Sequence, residues 1–214
     1  MCAYYNDPET PRRIADKSDL LSSLILPVPG RRGRSPRRVD QTMRPAGLEP
    51  RPLPNLWLGV SVEDQERIAR ISDLLQTPAA IRWVCFEPLL DQVRPEAVLV
   101  ADRYFDALAG SHYAVDGRGR TVVVEGPAWR ALDWVVAGGE IGAGARPMHP
   151  QWVRNLRDKC VATGVPFFFR QWGEWAPASS DPLDPTMIRA GKRAAGRLLD
   201  GRTWNEIPVT SQAG

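Results

Sequence analysis

Four short apolar runs constrain this chain more than any other feature. They are Asn55–Val62 (NLWLGVSV), Ile81–Phe86 (IRWVCF), Leu132–Ala137 (LDWVVA) and Val165–Phe169 (VPFFF). Nearly continuous apolar runs of this length read as strands covered on both faces. The stretches between them carry helical signals. Glu63-Asp64-Gln65 opens a helix whose buried stripe is Ile68, Ile71, Leu74 and Leu75, and Thr77-Pro78 stops it. Acids at its start suit the helix dipole. A second helix begins at His149-Pro150-Gln151-Trp152, carries Val153, Leu156 and Cys160, and meets a C-cap at Gly164. Strands alternating with helices through short loops predict parallel β/α units with right-handed crossovers.

The expected fold class is therefore α/β, a partial (β/α) barrel or open parallel sheet of about four core strands with flanking helices. Four strands are too few to close an eight-stranded barrel. Residues 97–108 read as helix or irregular chain. Thr121–Val124 after the turn Asp116-Gly117-Arg118-Gly119 reads as part of a small β-hairpin insertion. Residues 191–201 read as a small strand pair packing back on the core. The expected organisation is a basic, Pro/Gly-rich segment with one short helix at 1–54, a β/α half-barrel core at 55–176 and a loop-rich tail at 177–214.

Composition enters mainly through charge. The 214 residues carry a net charge of +3, a mild excess that permits phosphate or nucleic-acid contact without demanding it. Residues 1–53 hold ten Arg and Lys against six acids, so the basic character lies in the N-terminal segment. Arg31, Arg32, Arg34, Arg37 and Arg38 form its densest part. They read equally as a solvated linker or as an arm for phosphate backbone. The three cysteines, Cys2, Cys85 and Cys160, are scattered and suggest no disulfide framework. With no signal-peptide pattern and no long apolar run, the expected location is cytoplasmic, with no membrane contact.

In β/α folds functional side chains collect where strands end, because the following loops build the open face. Glu63, Asp64, Glu87, Glu140 and Gln171 all fall at such positions. Each alone reads as well as a helix-start acid or a loop polar group, but together they suggest a shared polar face. Gly138-Gly139-Glu140-Ile141-Gly142-Ala143-Gly144-Ala145-Arg146 is the densest signal. Its N–H groups suit a carboxylate, phosphate or ribose hydroxyl, and Arg146 suits bidentate pairing with an anion. A plain glycine-rich turn is the competing reading. Gln171, Trp172 and Trp175 read as an aromatic wall for a base, or as core. Cys85 and Cys160 read as buried thiols, and His149 as a helix-start residue.

As a set, these motifs resemble a known family. They are LWLGVSVEDQ at 56–65, FEPLL at 86–90, DWVVAGGE at 133–140, RPMHP at 146–150, PFFFRQWGEW at 166–175 and AAGRLLDGR at 194–202. They are similar, in order, to the C-terminal half of a phage-associated radical-SAM-like family of unknown function. The resemblance covers roughly residues 52–207. It implies a partial barrel that binds S-adenosylmethionine, with Ser61, Glu63, Glu87, Gly138, Gly139 and Glu140 lining the cofactor face. Arg146, Gln171 and Trp172 are expected as further ligand contacts. The family's cluster loop supplies three closely spaced cysteines, and nothing near Cys2 offers them. An iron–sulfur cluster is therefore not expected in this chain.

The expectation is a degenerate or truncated relative from a phage or mobile element, not catalytic alone, that keeps a small-molecule face. The alternative is a non-catalytic binding protein. It would contact a host protein or nucleic acid through Arg31–Arg38, or form a homodimer through an exposed sheet edge.

Overall fold

The structure, a computed structural model, describes residues 56–209, all within one unit spanning Arg51–Gly214. The basic run Arg31–Arg38, Cys2 and the helix expected before Pro27 lie outside the described residues.

In chain order the elements are β1 (Trp57–Ser61), a 3-10 turn (Gln65–Arg67), α1 (Arg70–Gln76), β2 (Ile81–Phe86) and a second 3-10 turn (Pro95–Ala97). Then come β3 (Val98–Val100), β4 (Arg103–Asp106), β5 (Ser111–Val115), β6 (Thr121–Val123) and β7 (Trp134–Gly138). The last are α2 (Pro150–Thr163), β8 (Phe167–Gln171), β9 (Trp175–Pro177), β10 (Met187–Arg189) and α3 (Lys192–Ala195).

The four apolar runs form one parallel sheet in the order β1-β2-β7-β8. The fold is thus α/β with an open four-stranded sheet, as the alternation of strand and helix signals predicts. The local chemistry sets the ends of the elements. Asp64 caps the first 3-10 turn by accepting from Arg67 N at 3.1 Å. His149 caps α2, its Nδ1 accepting from Gln151 N at 3.1 Å, with Pro150 in the first turn. Gly164, at φ +73°, closes α2 in the left-handed region that glycine adopts without a Cβ penalty.

Register sorts the sheet into two faces, because successive side chains alternate and paired positions of parallel strands point the same way. Val60, Val84, Val135 and Phe167 stand in one row, with Phe86, Ala137 and Phe169 above them. They join the main core with Ile71, Leu74, Leu75, Val153, Leu156 and Cys160 of α1 and α2. The opposite face carries Gly59, Trp83 and Trp134 in one row and Ser61, Cys85, Val136 and Phe168 in the next. Its aromatic rings touch across strands. Trp83 and Trp134 lie 5.5 Å apart, and Trp134 meets both Trp57 and Phe168 edge-on at 6.0 Å. Gly59 makes room for the Trp83 indole: a Cβ there would lie 2.5 Å from Trp83 Nε1 and closer still to its ring carbon. Trp57, Trp83, Trp134 and Phe168 keep partial exposure, and β1 is half-buried along its length. Coverage on both faces, expected for all four runs, therefore holds less well on this aromatic side.

The expected hairpin insertion grows into a four-stranded antiparallel sheet, β3-β4-β5-β6. Residues 97–108 build two of its strands instead of a helix. Val98 and Phe105 are fully buried across from each other, and Ala101 turns the chain at φ +55°. Residues 191–201 form the short helix α3 and one bridge, Leu199 to Arg202, in place of a strand pair. The chain between Gly191 and Gly196 is long enough for one helical turn only.

The tail packs on the core. Phe169 N donates to Trp204 O at 3.0 Å and Glu206 N to Phe167 O at 3.2 Å, so residues 204–206 cover the outer edge of β8. Among the described residues β1 is the opposite edge of the sheet. No helix among them is long and apolar enough to cross a membrane.

Candidate functional site

At the C-terminal ends of the parallel strands the loops are stitched together in a row by backbone hydrogen bonds. Leu90 N donates to Glu63 O (2.8 Å), Leu89 N to Gly138 O (2.9 Å), Gly139 N to Gln171 O (2.9 Å) and Glu174 N to Glu140 O (2.9 Å). Glu63, Glu87, Gly138, Gly139, Glu140 and Gln171 are thereby gathered onto one rim. Buried strand ends would otherwise leave these polar groups unpaired, which is costly.

Glu87 stands at the centre of the rim, above the row Ser61, Cys85, Val136 and Phe168. Gln171 Nε2 donates to its Oε1 at 2.8 Å and Arg170 Nη1 to its Oε2 at 2.8 Å. Its side chain is 10% exposed, whereas that of Arg170 is 44% exposed. Gly138 lets the carboxylate cross the strand end, since a Cβ there would sit 2.8 Å from Glu87 Oε1. The glycine at this motif position is therefore a matter of space for a carboxylate. The Glu87-Pro88 peptide bond is cis.

Glu140 is engaged differently. Arg146 grips it with three donors, its backbone N and Nε on Oε2 and its Nη2 on Oε1, each at 2.8 Å. The Arg146 side-chain hydrogen bond holds the Glu140 carboxyl below its ordinary range, against a smaller opposing effect of burial. The same pair raises Arg146, and the Asp64 charge also reaches it. Side chains from the chain after β8 take up much of the glycine-rich loop's backbone. Gly142 N donates to Glu174 Oε1 at 3.1 Å, and Trp175 Nε1 donates to Ala145 O at 2.8 Å. Arg189 Nη2 holds the Ala143 carbonyl at 2.6 Å. Arg146, expected as a ligand contact, pairs with Glu140 in this structure.

Glu63 and Asp64 form a second charged group beside β1. Arg70 Nη1 donates to Glu63 Oε2 at 3.1 Å and to Ser61 O at 2.8 Å, and Arg67 pairs with Asp64. Ser61 faces the aromatic side of the sheet, in register with Cys85. Gln171 is buried and serves as the second donor to Glu87. Trp172 is turned into the core, 3% exposed, packed edge-on against Phe169 with its Nε1 donating to Leu198 O at 2.8 Å. The aromatic wall lies elsewhere, on Trp83, Trp134 and Phe168. These three were readable as strand residues, but only register shows that they share a face. Arg170, a neighbour of Glu87, was also hidden, because strand ends in the sequence do not reveal which side chain turns toward which.

The two described cysteines do not fit a shared cluster. Cys85 stands on the aromatic face of the sheet, whereas Cys160 of α2 is packed in the core on the other face. Burial pushes the Cys160 thiol far up, so it stays protonated. At the strand ends the nearly buried Glu87 carboxylate stands beside the partly exposed Arg170 guanidinium.

A depression of about 390 Å³ lies well away from this rim, lined by Ala109, Trp129, Arg130, Leu132 and Asp133 among others. Asp133 precedes β7, and its Oδ2 accepts from Arg82 N at 2.8 Å near the start of β2. The depression therefore sits toward the N-terminal ends of the parallel strands, whereas β/α folds bind ligands at the C-terminal ends. We place the candidate site on the Glu87 rim because the polar groups converge there.

Fold and rim together define an open-sheet α/β protein with a polar C-terminal face over an aromatic wall. The chain belongs to the DUF5131 family, described as a protein of unknown function, whose profile matches residues 21–208. No curated protein and no solved structure matches the chain significantly.

Proposed function

We propose that the C-terminal rim of the sheet is a small-molecule site of the S-adenosylmethionine type, in a radical-SAM-like protein that is not catalytic by itself. The observation that carries this reading is Glu87, held over Gly138 by Arg170 and Gln171 at the edge of an open aromatic face. S-adenosylmethionine combines an α-amino acid, a sulfonium and an adenine, which suit a carboxylate, an aromatic face and a stacking surface respectively. When bound, the ligand would supply an adenosyl or methyl group. This chain's own residues would bind and orient it. Glu87 accepts from the ammonium, Gly138 keeps that carboxylate in place, and the aromatic row shields the apolar part from water. The motif resemblance over residues 52–207 points the same way.

Calorimetric titration with S-adenosylmethionine tests the reading. Saturable binding is expected, weakened about tenfold or more by Glu87→Gln, or roughly 1.4 kcal/mol. Glu87→Gln keeps the side chain's size and removes its charge. Absence of saturable binding to the folded wild-type chain would sink the proposal.

A second reading is assembly. Among the described residues β1, with Trp57 partly exposed, is the edge strand and has no strand partner on its outer side, where a second copy of the chain would pair. A homodimer through that edge would show as concentration-dependent sedimentation.

A further inference from the structure

We infer that residues 189–197 form a docking ribbon for single-stranded nucleic acid. Arg189, Lys192, Arg193 and Arg197 take its phosphates, and the open aromatic face beside them takes its bases. This goes beyond the small-molecule reading and does not depend on it.

Most cations of the described residues are neutralised by a neighbouring acid. Those with no carboxylate within 4.0 Å are Arg82, Arg118, Arg189, Lys192, Arg193 and Arg197. Arg82 is buried, and Arg118 sits apart on the turn after β5. The other four fall in one short segment, and all are exposed. The acids around that segment are engaged elsewhere. Asp200 is held by Arg154 and Arg157, Glu206 Oε2 accepts from Phe167 N at 2.9 Å, and Glu174 Oε1 accepts from Gly142 N at 3.1 Å. Exposed like charges left together repel one another, a cost that an anionic partner removes.

The backbone holds these cations in place. Ala190 N and Gly191 N donate to Glu174 O at 3.1 and 3.0 Å, and Trp172 N donates to Gly196 O at 3.1 Å. Both ends of the segment are thereby pinned to the loop after β8, beside the rim. At one end Arg189 Nη2 lies on the Gly142 and Ala143 carbonyls, 3.2 and 2.6 Å away. At the other end Arg197 lies over the Phe168 ring, 5.3 Å from its centroid, and donates to Asn205 Oδ1. Between them Lys192 and Arg193 of α3 have no side-chain partner among the described residues. The ribbon thus runs from the glycine-rich loop to the aromatic face.

A phosphate chain suits such a row, because each cation it meets releases a condensed counterion. The rings decide which nucleic acid. Phe168 meets Trp134 edge-on, Trp134 meets Trp83, and all three are partly exposed. Aromatic side chains beside a cationic track hold unpaired bases, since every base has a face to stack. A duplex keeps its bases stacked inside, and an acidic polypeptide brings charge without bases.

The test is a fluorescence-anisotropy titration of the full chain with a labelled thymidine oligomer of about 15 nucleotides, repeated across salt concentrations. Lys192→Ala/Arg193→Ala should melt within about 2 °C of wild type, as exposed substitutions do. The double variant should weaken binding about tenfold and flatten the slope of log affinity against log salt by about 1.4, the share of two single-strand contacts. Lys192→Arg/Arg193→Lys should keep the wild-type slope, and so should Arg118→Ala. No salt-dependent binding to wild type overturns the ribbon. So does binding that the double variant leaves intact and that is lost on deleting residues 30–38, which would assign the oligomer to the N-terminal arm. A duplex of the same length bound at least as tightly overturns the single-strand assignment. Polyglutamate that displaces the oligomer at equal charge overturns nucleic acid as the partner in favour of an acidic polypeptide.

Discussion

Gly139→Ala is expected to lower the melting temperature of this protein by about 10 °C, a loss of about 3 kcal/mol. The cause is backbone pressed on backbone. A Cβ on Gly139 would lie 2.5 Å from the Trp172 carbonyl carbon and closer still to its oxygen. From the other side, a Cβ on Gly173 would lie 2.7 Å from the Gly139 carbonyl carbon. No side-chain rotation relieves such a clash, because neither partner is a side chain. The loops after β7 and β8 would have to part, and with them the bonds Gly139 N to Gln171 O and Glu174 N to Glu140 O. Gly144→Ala is the control, since a Cβ at Gly144 meets nothing within 4 Å. Differential scanning calorimetry of both variants decides. A Gly139→Ala protein that melts with wild type would mean the two loops are not in contact as described.

Asp200→Ala is the second large effect. Asp200 holds Arg154 of α2 through Nε at 2.8 Å and also pairs with Arg157. Arg154 is 6% exposed. Removing its carboxylate leaves a buried guanidinium with the Pro182 carbonyl, 3.2 Å away, as its remaining described partner. Breaking a fully buried pair costs about 3–5 kcal/mol. Asp200 itself is one-third exposed, so about 2–3 kcal/mol is expected here. The tail should loosen first, because fully buried Leu199 sits beside Asp200.

The same pair predicts a pH dependence. Burial works to raise the Asp200 carboxyl, but hydrogen bonds from Arg157 and Arg154 outweigh it, and the net shift is downward. A carboxyl depressed in the folded state binds protons more weakly than in the unfolded chain. Its contribution is complete above the ordinary aspartate value near 4 and is lost as pH falls through the lower folded value. Wild type should therefore lose stability below about pH 4 more steeply than Asp200→Asn, which has no carboxyl to protonate. Parallel slopes for the two proteins between about pH 5 and pH 2 would remove Asp200 as the cause.

Much of the frame was legible in the chain. NLWLGVSV, IRWVCF, LDWVVA and VPFFF became β1, β2, β7 and β8 because apolar runs of that length have one good way to be buried, as neighbours in a sheet. The strand-end acids gathered on one rim because parallel strands share one C-terminal edge. The helix start at His149 was legible, whereas Glu63-Asp64-Gln65 opens a 3-10 turn and α1 begins only at Arg70. Residues 97–108 misled because three- and four-residue strands are too short to show a period clearly. Trp172 misled because an aromatic beside a strand end reads equally as a stacking wall or as core.

The sequence by itself determined the four core strands, their parallel direction and the end of the sheet where polar groups collect. These follow from local patterns of burial and capping. Only the tertiary structure decided the partners: that Glu140 closes on Arg146, that Glu87 turns to Arg170 and Gln171, and that Trp172 points inward while Trp83, Trp134 and Phe168 share the open face. The physical reason is register. Which charges meet, and which side of a sheet a ring faces, depends on how strands distant in sequence align, and no local pattern encodes that alignment.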